Sequence, residues 1–255
     1  KRAKAMSSSD HNPAPTPASG TGGTAPPPGR PTTVSSQVID MGAQVLQPLK
    51  PVRQMKQHAC SFSLYAHDMH RQLEVHHFVS RLNQDVLQCA VYDSDKPSAR
   101  LIGVEYIVSD TIFEALPAEE QKLWHSHAYE VKAGLWTDVG VPEMLQSSEM
   151  ARMAKTYGKF WCTWQVDRGD RLPLGAPALM MSPQAVEPGR VRAELVRDRD
   201  QRCKVDSSAR GLKAERVEMD EPEWINPNAD YWRLHGKGFA VDVTATEMKQ
   251  YAPFP

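Results

Sequence analysis

The sequence predicts an α+β fold: an antiparallel sheet, a meander of at least three strands, is flanked by helices and preceded by a disordered N-terminal tail. Apolar residues recur with a period of two between residues 73 and 108, as half-buried strands require. Other segments carry apolar residues at helical spacing. The first 36 residues hold almost nothing that could form a core.

The predicted tail is rich in Pro, Ser, Thr, Gly and Ala, as in PAPTP at residues 13–17. Such a composition buries too little apolar area to offset the entropy lost on ordering the chain. We therefore predict three regions. Residues 1–36 form the disordered tail, residues 37–205 the main domain, and residues 206–255 a C-terminal extension that packs on the same domain.

Three segments are predicted as strands, at residues 73–79, 87–91 and 101–108. Their short connections indicate an antiparallel meander. Because successive side chains of a strand point to opposite faces, His77 shares a face with the apolar residues of the first segment, whereas His76 lies on the other face. His77 is therefore predicted to point into the core.

Helical spacing and capping signals predict helices at residues 35–49, from Pro117, at 142–157 and at 191–205. Gly158 suits the end of the third helix, because glycine readily adopts the left-handed conformation of a C-cap. Residues 128–135 and 160–166 are predicted to be extended. His58, His67 and His70 lie in a polar stretch without periodicity and are predicted to be surface residues.

Composition limits the classes of partner. With 30 basic and 31 acidic residues, the net charge is −1, which gives no general attraction to nucleic acid. The longest apolar runs fall short of a transmembrane helix, although peripheral contact with a lipid surface stays open. Four widely spaced cysteines without a CxxC pair predict a reduced, intracellular protein. The oligomeric state is left open.

A group of histidines and glutamates predicts a metal site. His125 and His127 lie two residues apart, so both imidazoles share one face if the backbone there is extended. Glu130 follows within reach if the chain turns. His77 and Glu105 lie on predicted strands. Imidazoles with a carboxylate suit Zn, Fe, Mn or Cu, and we predict one divalent transition metal as the cofactor.

Other arrangements of these residues are also open. His125 and His127 could cap the preceding helix or hydrogen-bond to backbone carbonyls, and Lys132 could neutralise a buried Glu105 in place of a metal. The tryptophans of this half are expected to pack in the core, with a ligand pocket or a lipid-facing patch as the alternative; they are Trp124, Trp136, Trp161 and Trp164.

Three ordered groups of motifs resemble the oil body-associated protein family. The first is EVHHF at residues 74–78. The second is LIGVEYI at 101–107 with LWHSHAYEVKAG at 123–134. The third comprises YGK at 157–159, TWQ at 163–165, DRGD at 167–170 and LPLG at 172–175. The resemblance covers residues 37–205 and implies association with seed oil bodies or other lipid droplets, without a settled enzymatic activity. Cys162 departs from the family pattern, in which a histidine often stands at this position.

Three functions follow as hypotheses. The first is a non-catalytic protein of the lipid droplet surface, or of the cytoplasm beside it, which docks through an amphipathic helix at residues 142–157. The second is a metal-dependent enzyme acting on a small or lipid-derived molecule. The third is a structural subunit of a larger assembly. Whether the protein is an enzyme is left open, because no nucleophile elbow, phosphate-binding loop or dinucleotide motif occurs in the folded part of the sequence.

Overall fold

The computed structural model describes residues 27–220 and 222–248. The strands are β1 (Gln57–Tyr65), β2 (Asp68–Arg81), β3 (Val86–Tyr92), β4 (Leu101–Ser109), β5 (His125–Ser126), β6 (Thr137–Asp138), β7 (Thr156–Cys162) and β8 (Ala178–Met181). The helices are α1 (Val34–Leu46), α2 (Asp110–Glu114), α3 (Ala118–Gln121), α4 (Ala128–Lys132), α5 (Glu143–Met153), α6 (Ala193–Cys203), α7 (Leu212–Glu215) and α8 (Tyr231–His235).

Within the described residues, the strands form one antiparallel sheet in the order β2-β3-β4-β7-β8-β1-β6, with β5 beside β7. β1 also pairs along β2, from Gln57 opposite Val79 to Leu64 opposite Gln72. Strands β2, β3, β4, β7, β8 and β1 therefore close into a six-stranded barrel. The predicted α+β class and the β2-β3-β4 meander are confirmed. The sheet is closed rather than a simple meander, because β1 pairs with β2 at one edge and with β8 at the other.

Strand β1 was absent from the sequence prediction. Its residues from Ala59 to Tyr65 are buried on both faces, so the alternation of serine with apolar residues at 61–64 does not mark a solvent-exposed face. Serines and a cysteine fill several of these buried positions, which gives the segment a polar appearance. His58 belongs to this strand and is half-buried, with its ring stacked on Phe78 at 4.7 Å between centroids.

The segment after His127 differs from its prediction. Residues 128–132 form the helix α4 rather than an extended segment, and the hydroxyl of Ser126 accepts a hydrogen bond from the Ala128 N–H as the helix begins. Gly158 lies in the middle of β7, not at a helix end. Helices α5 and α6 fall inside the segments predicted for them.

The N-terminal prediction falls mainly on residues 1–26, which lie outside the described part of the chain. Residues 34–36, also predicted to belong to the tail, are helical. Helix α1 begins after Thr33, whose hydroxyl accepts a hydrogen bond from the Ser36 N–H at 3.2 Å. All of its residues are at least partly exposed to solvent. None of the helices in the described ranges combines the length and apolar character needed to cross a membrane.

Two buried arginines tie the C-terminal part of the domain to the barrel. Arg199 of α6 donates hydrogen bonds to the Leu135 carbonyl at 2.8 Å and to the Ser207 hydroxyl at 2.6 Å. Arg216 donates to the carbonyls of Val131 and Trp136 at 2.9 and 2.7 Å. Both side chains are fully buried. The turn between α4 and β6, next to the predicted metal site, is therefore held from outside by two guanidinium groups.

Candidate metal centre

Five polar side chains meet inside the barrel, and we call them the barrel cluster: His77, Glu105, His125, His127 and Glu130. None is more than 3% exposed. His77 comes from β2, Glu105 from β4 and His125 from β5, whereas the other two stand at the start of α4. These are the five residues predicted as metal ligands from the sequence, and the fold brings all of them together.

Glu105 lies at the centre of the barrel cluster. Its Oε2 is 2.6 Å from Nε2 of His77, and its Oε1 is 3.0 Å from Nε2 of His125 and 3.4 Å from Nε2 of His127. Glu130 approaches from the other side, with Oε1 3.7 Å from Nε2 of His127. Three imidazole nitrogens therefore converge on one carboxylate.

Neighbouring groups fix which nitrogen carries the proton on two of these rings. Nδ1 of His125 lies 3.2 Å from the carbonyl oxygen of Met180. A carbonyl can only accept, so Nδ1 is the protonated nitrogen. Nδ1 of His127 lies 2.8 Å from the hydroxyl of Thr156, which itself donates to the Met153 carbonyl at 2.7 Å. Because that hydroxyl proton is engaged, Nδ1 of His127 is also the donor. Nε2 of each ring therefore points at Glu105.

The third imidazole is held differently. His77 stacks on Trp136 with 4.8 Å between ring centroids. Its Nδ1 and Nε2 are buried, and neither makes a well-aligned hydrogen bond to the residues that the structure describes. The 2.6 Å contact with Glu105 is therefore close but lies off the N–H direction. A buried nitrogen left in this state costs free energy, unless another group satisfies it.

Charge is unevenly distributed in the barrel cluster. Burial opposes ionisation of Glu105, but the imidazoles of His77 and His125 hold the pKa of Glu105 well below its usual range. Burial lowers the pKa of His125, but the hydrogen bond to Glu105 outweighs it and raises that pKa above its usual value of 6.5. Burial lowers the pKa of His127 to about 4, so its imidazole is neutral at physiological pH. Burial raises the pKa of Glu130 to about 8, although Ser61 donates a hydrogen bond to its carboxylate. One carboxylate is thus charged while the other is mostly protonated.

Gly158 makes room for the cluster. It lies opposite His125 on β5 and opposite Ile107 on β4. A Cβ atom at this position would lie 2.2 Å from Oε1 of Glu105, 2.5 Å from Nε2 of His125 and 2.6 Å from Nε2 of His127. These separations are shorter than any van der Waals contact allows. Only glycine lets strand β7 pass this close to the three polar groups.

The alternatives considered for these residues fare differently. The preceding helix, α3, ends at Gln121. The ring nitrogens of His125 and His127 instead contact Met180, Thr156 and Glu105, so capping of that helix does not explain the two histidines. Hydrogen bonding of a histidine to a backbone carbonyl is present in His125, where it orients the ring. Lys132 donates to the carbonyls of Val217 and Met219 at 2.9 and 2.7 Å, whereas the groups around Glu105 are imidazoles.

Sequence reasoning missed several supporting residues. Ser61 lies on the strand that was not predicted, Thr156 carried no distinguishing pattern, and Gly158 was assigned to a helix end. Trp136 was expected to pack in the core, and it does so against two of the imidazoles, with its ring 5.4 Å from that of His127. A glycine within an aromatic strand segment was the one available signal, because such a glycine often marks a close approach.

Cys162, where the family often has histidine, is not part of the barrel cluster. Its thiol contacts the hydroxyl of Tyr65 at 3.8 Å and the carbonyl of Trp164 at 3.4 Å. Burial raises the pKa of Cys162 to about 11. The thiol is therefore neutral at physiological pH, which argues against a nucleophilic role.

Comparisons with known proteins agree on one family. Residues 49–220 match the family DUF1264, described as a protein of unknown function. The chain is 82% identical to oil body-associated protein 2B of Zea mays over 250 residues, which are 98% of this chain and 100% of that protein. Oil body-associated protein 2C of Arabidopsis thaliana is 54% identical over 90% of this chain and 96% of its own length.

A more distant relative is oil body-associated protein 1A of Zea mays, 40% identical over 87% of this chain and 90% of its own length. No solved structure matches. The matched region extends fifteen residues beyond the domain end predicted at residue 205, through Arg216 and up to residue 220. On the length and identity of these matches, the chain belongs to the oil body-associated protein family.

Proposed function

We propose that this protein holds one divalent transition metal ion inside its barrel, bound by His77, Glu105, His125 and His127, and that it does so at the surface of an oil body. The observation that carries the metal assignment is the convergence of three imidazole Nε2 atoms on one buried carboxylate. Glu130 then stands beside the ion as a hydrogen-bonding or proton-carrying group.

The tautomers support this assignment. Metal-binding histidines usually donate their other ring N–H to a carbonyl, hydroxyl or carboxylate, which directs the free nitrogen towards the ion. His125 and His127 have this arrangement through Met180 and Thr156. The Nε2 lone pair of neutral His127 otherwise faces a carboxylate oxygen, which is repulsive. A cation between them would turn that repulsion into attraction.

The donor set limits the choice of metal. Three nitrogens and one carboxylate oxygen suit Zn, Fe, Mn or Cu, whereas Ca and Mg favour oxygen donors. Ligand atoms about 2.0–2.2 Å from a tetrahedral ion lie a little over 3 Å from one another. The separations of 3.0 and 3.4 Å fit this spacing, and the 2.6 Å contact of His77 would have to lengthen.

Elemental analysis of the purified full chain tests the metal. We expect about one equivalent of transition metal at this site and its loss in His127→Gln, which removes one imidazole at nearly constant volume. The matched control is His70→Gln, because His70 is exposed on β2. Equal metal content in wild type and His127→Gln, or its absence from both after incubation with Zn²⁺ and Fe²⁺, would refute the proposal.

Oil body association is proposed from the names of the relatives together with helix α1. Val34, Val38, Met41 and Val45 fall on one side of this helix and are 57–84% exposed. Asp40 is its one charged residue. An exposed, weakly charged amphipathic helix can bury its apolar side in the lipid monolayer of an oil body.

Helix α5, the candidate from the sequence, fits this role less well. Met144 and Leu145 near its start are 85% and 70% exposed. Met150 and Met153, however, are buried in the core of the domain. Because part of its apolar surface is already used in packing, α5 remains a secondary candidate and α1 becomes the primary one.

Flotation with artificial oil droplets tests the location. Val38→Asp with Val45→Asp should move most of the protein from the floating layer to the soluble fraction. Gln37→Asp with Gln44→Asp adds the same charge to the same helix beside its apolar side and should float like wild type. If both double variants float equally, α1 is not the docking element; if wild type itself stays soluble, the oil body assignment fails.

A metal-dependent enzyme is the second candidate, favoured by Glu130. Burial raises the pKa of Glu130 to about 8 in the metal-free protein, and a bound cation would lower it towards neutral pH, where a carboxyl group is suited to proton transfer. A substrate would have to reach residues that are at most 3% exposed, so the barrel would have to open. Hydrogen exchange of β5 and α4 in the metal-bound protein, measured with and without candidate lipid-derived molecules, tests this opening. No change in exchange on their addition would contradict the enzyme hypothesis.

A further inference from the structure

A second group of ligand-type side chains lies on the outer face of the barrel, and we call it the wall cluster: Cys60, Glu74, His76 and Cys203. Cys60 of β1 lies directly opposite His76 of β2. Glu74 stands two residues before His76 and so shares its face. The barrel cluster is on the inner face of the same strands, since His77 points inward.

The ligand atoms of the wall cluster are close together. Nε2 of His76 is 3.1 Å from Oε1 of Glu74, and Sγ of Cys60 is 3.7 Å from that oxygen and 4.0 Å from the same nitrogen. An ion about 2.0–2.3 Å from each of three tetrahedral ligands would separate them by roughly 3.3–3.6 Å. The observed distances bracket this range, so little movement would be needed.

Helix α6 supplies a second sulfur. Its last residue, Cys203, lies beside Cys60, whose thiol lowers the pKa of Cys203 to about 7. The ligand atoms of Cys60, Glu74 and His76 all lie within 4.8 Å of one another, and the sulfur of Cys203 would move towards this group when an ion binds. Arg202, beside Cys203 in the chain, pairs with the second oxygen of Glu74. Glu74 thus has one oxygen fixed by an arginine and the other directed at the thiol and the imidazole. Three separate elements contribute to one small volume.

A neighbouring histidine orients His76. Nε2 of His58 lies 2.9 Å from Nδ1 of His76. A carboxylate can only accept, so in the metal-free protein Nε2 of His76 donates to Oε1 of Glu74, 3.1 Å away, and Nδ1 of His76 accepts from Nε2 of His58. On binding an ion, the Nε2 proton of His76 would leave, and the ring would take the tautomer in which Nδ1 donates to Nε2 of His58. Most metal-binding histidines make such a hydrogen bond through the ring nitrogen that does not bind the metal.

We propose that the wall cluster is a structural zinc site, in which Cys60, Cys203, His76 and Glu74 bind one thiophilic divalent cation and fasten the end of α6 to the barrel wall. Two sulfurs, one imidazole and one carboxylate form a closed tetrahedral set of the type that structural zinc prefers. On binding, Zn²⁺ displaces the two thiol protons to solvent, and no oxidation or reduction occurs. This site stands on different residues from the barrel cluster and does not depend on it.

Cobalt substitution distinguishes the two sites, because only the wall cluster contains sulfur. Adding Co²⁺ to the reduced, metal-free full chain should produce the near-ultraviolet absorption of a cobalt–thiolate bond. Cys203→Ser removes one of the two thiolate ligands and should lower this band to about half or less. Since Cys203 is only half-buried, the variant should fold. Cys162→Ser is the matched control for loss of a thiol and should keep the band, as should His127→Gln, which impairs only the barrel cluster.

Alkylation provides an independent readout. Zn²⁺ should protect Cys203 from iodoacetamide in wild type. In His76→Gln, the zinc concentration needed for the same protection should be at least tenfold higher. A band of unchanged intensity in Cys203→Ser, or a Cys203 alkylated equally fast with and without Zn²⁺, would overturn the proposal. Isolation of the protein with a Cys60–Cys203 disulfide that resists reduction would also overturn it. These outcomes leave the barrel site unaffected.

Discussion

At the scale of single residues, the barrel cluster is oriented by hydrogen bonds to residues outside it. Met180 and Thr156 accept the Nδ1 protons of His125 and His127 and thereby direct both Nε2 atoms at Glu105. Ser61 holds Glu130 by donating a hydrogen bond to its carboxyl group. Each supporting residue lies on a different element, so the arrangement exists only when the barrel has closed.

Gly158→Ala should disrupt the barrel cluster. The new methyl group would lie within 2.6 Å of Glu105, His125 and His127, so strand β7 or the cluster must move. Overpacking of this kind costs about 1–3 kcal/mol of unfolding free energy. We expect a loss of that size in urea denaturation, together with loss of metal from the barrel site.

Gly42→Ala is the control for this substitution. Gly42 is in helix α1 and has nothing within 4 Å of its added Cβ. Alanine there should leave stability unchanged or raise it by up to about 1 kcal/mol, because it favours the helix. Equal effects of the two substitutions would show that the close approach at Gly158 does not constrain the cluster.

At the scale of elements, the turn between α4 and β6 is held by α7. Arg216 follows that helix, donates to the carbonyls of Val131 and Trp136, and pairs with both oxygens of Glu143 at 2.6 and 2.7 Å. Helix α4 carries Glu130, so the C-terminal segment positions a residue of the barrel cluster without touching it. This is a physical reason for the family match to extend to residue 220.

Arg216→Met should therefore destabilise the whole domain. Removing one partner of a buried, hydrogen-bonded ion pair costs about 3–5 kcal/mol, because the carbonyls and Glu143 are left without their donor. Chemical denaturation followed by tryptophan fluorescence measures the change. Arg197→Met, at an exposed position of α6, should change stability by less than about 0.5 kcal/mol. A small effect at both positions would contradict the anchoring role.

At the scale of the whole molecule, the six-stranded barrel separates two environments along the same strands. Side chains facing inward form the core and the barrel cluster. Of those facing outward, the wall cluster on β1 and β2 lies beside the end of α6, whereas Val104 and Tyr106 of β4 are exposed to solvent. The adjacent residues His76 and His77 illustrate this: both are buried, but they lie on opposite sides of the wall. Closure also leaves α1 outside the packed core, free to meet a lipid surface.

The stability of the whole domain should depend on pH through Asp138. Burial, and then the charge of Glu149, raise the pKa of Asp138 from 3.8 to about 6. Because the folded state binds this proton more tightly than the unfolded state does, Asp138 contributes stability at low pH, and this is lost as pH rises through about 6. Asp138→Asn should therefore be more stable than wild type at about pH 8, by roughly 1–2 kcal/mol.

Urea denaturation at about pH 8 and about pH 4 measures this difference. It should shrink to a small fraction at the lower pH, because Asp138 is then protonated in the folded state and nearly half protonated in the unfolded state. Asp40→Asn, on exposed helix α1, removes the same charge and should show no such change with pH. If the difference in unfolding free energy between Asp138→Asn and wild type is the same at both pH values, the charge of Asp138 is not what destabilises the fold.

The sequence by itself determined the elements whose residues alternate or repeat: the β2-β3-β4 meander, α5 and α6. It also determined the identity of the barrel cluster, because few residue types can serve as ligands and they stood on recognisable strands or next to them. The inward direction of His77 followed from the period-two geometry of a strand, which needs no tertiary information.

Only the tertiary structure decided how these parts meet. Strand β1 is buried on both faces, so its sequence does not separate a core face from a solvent face. Barrel closure depends on its pairing with β2, which follows directly in the chain, and on its long-range pairing with β8. The proximity of Cys203 to Cys60, of Arg216 to the α4 turn and of Gly158 to three ligands joins residues far apart in the chain. The periodicity of a segment predicts only which of its own faces is buried. The barrel cluster and the wall cluster depend on how several strands and helices are placed relative to one another.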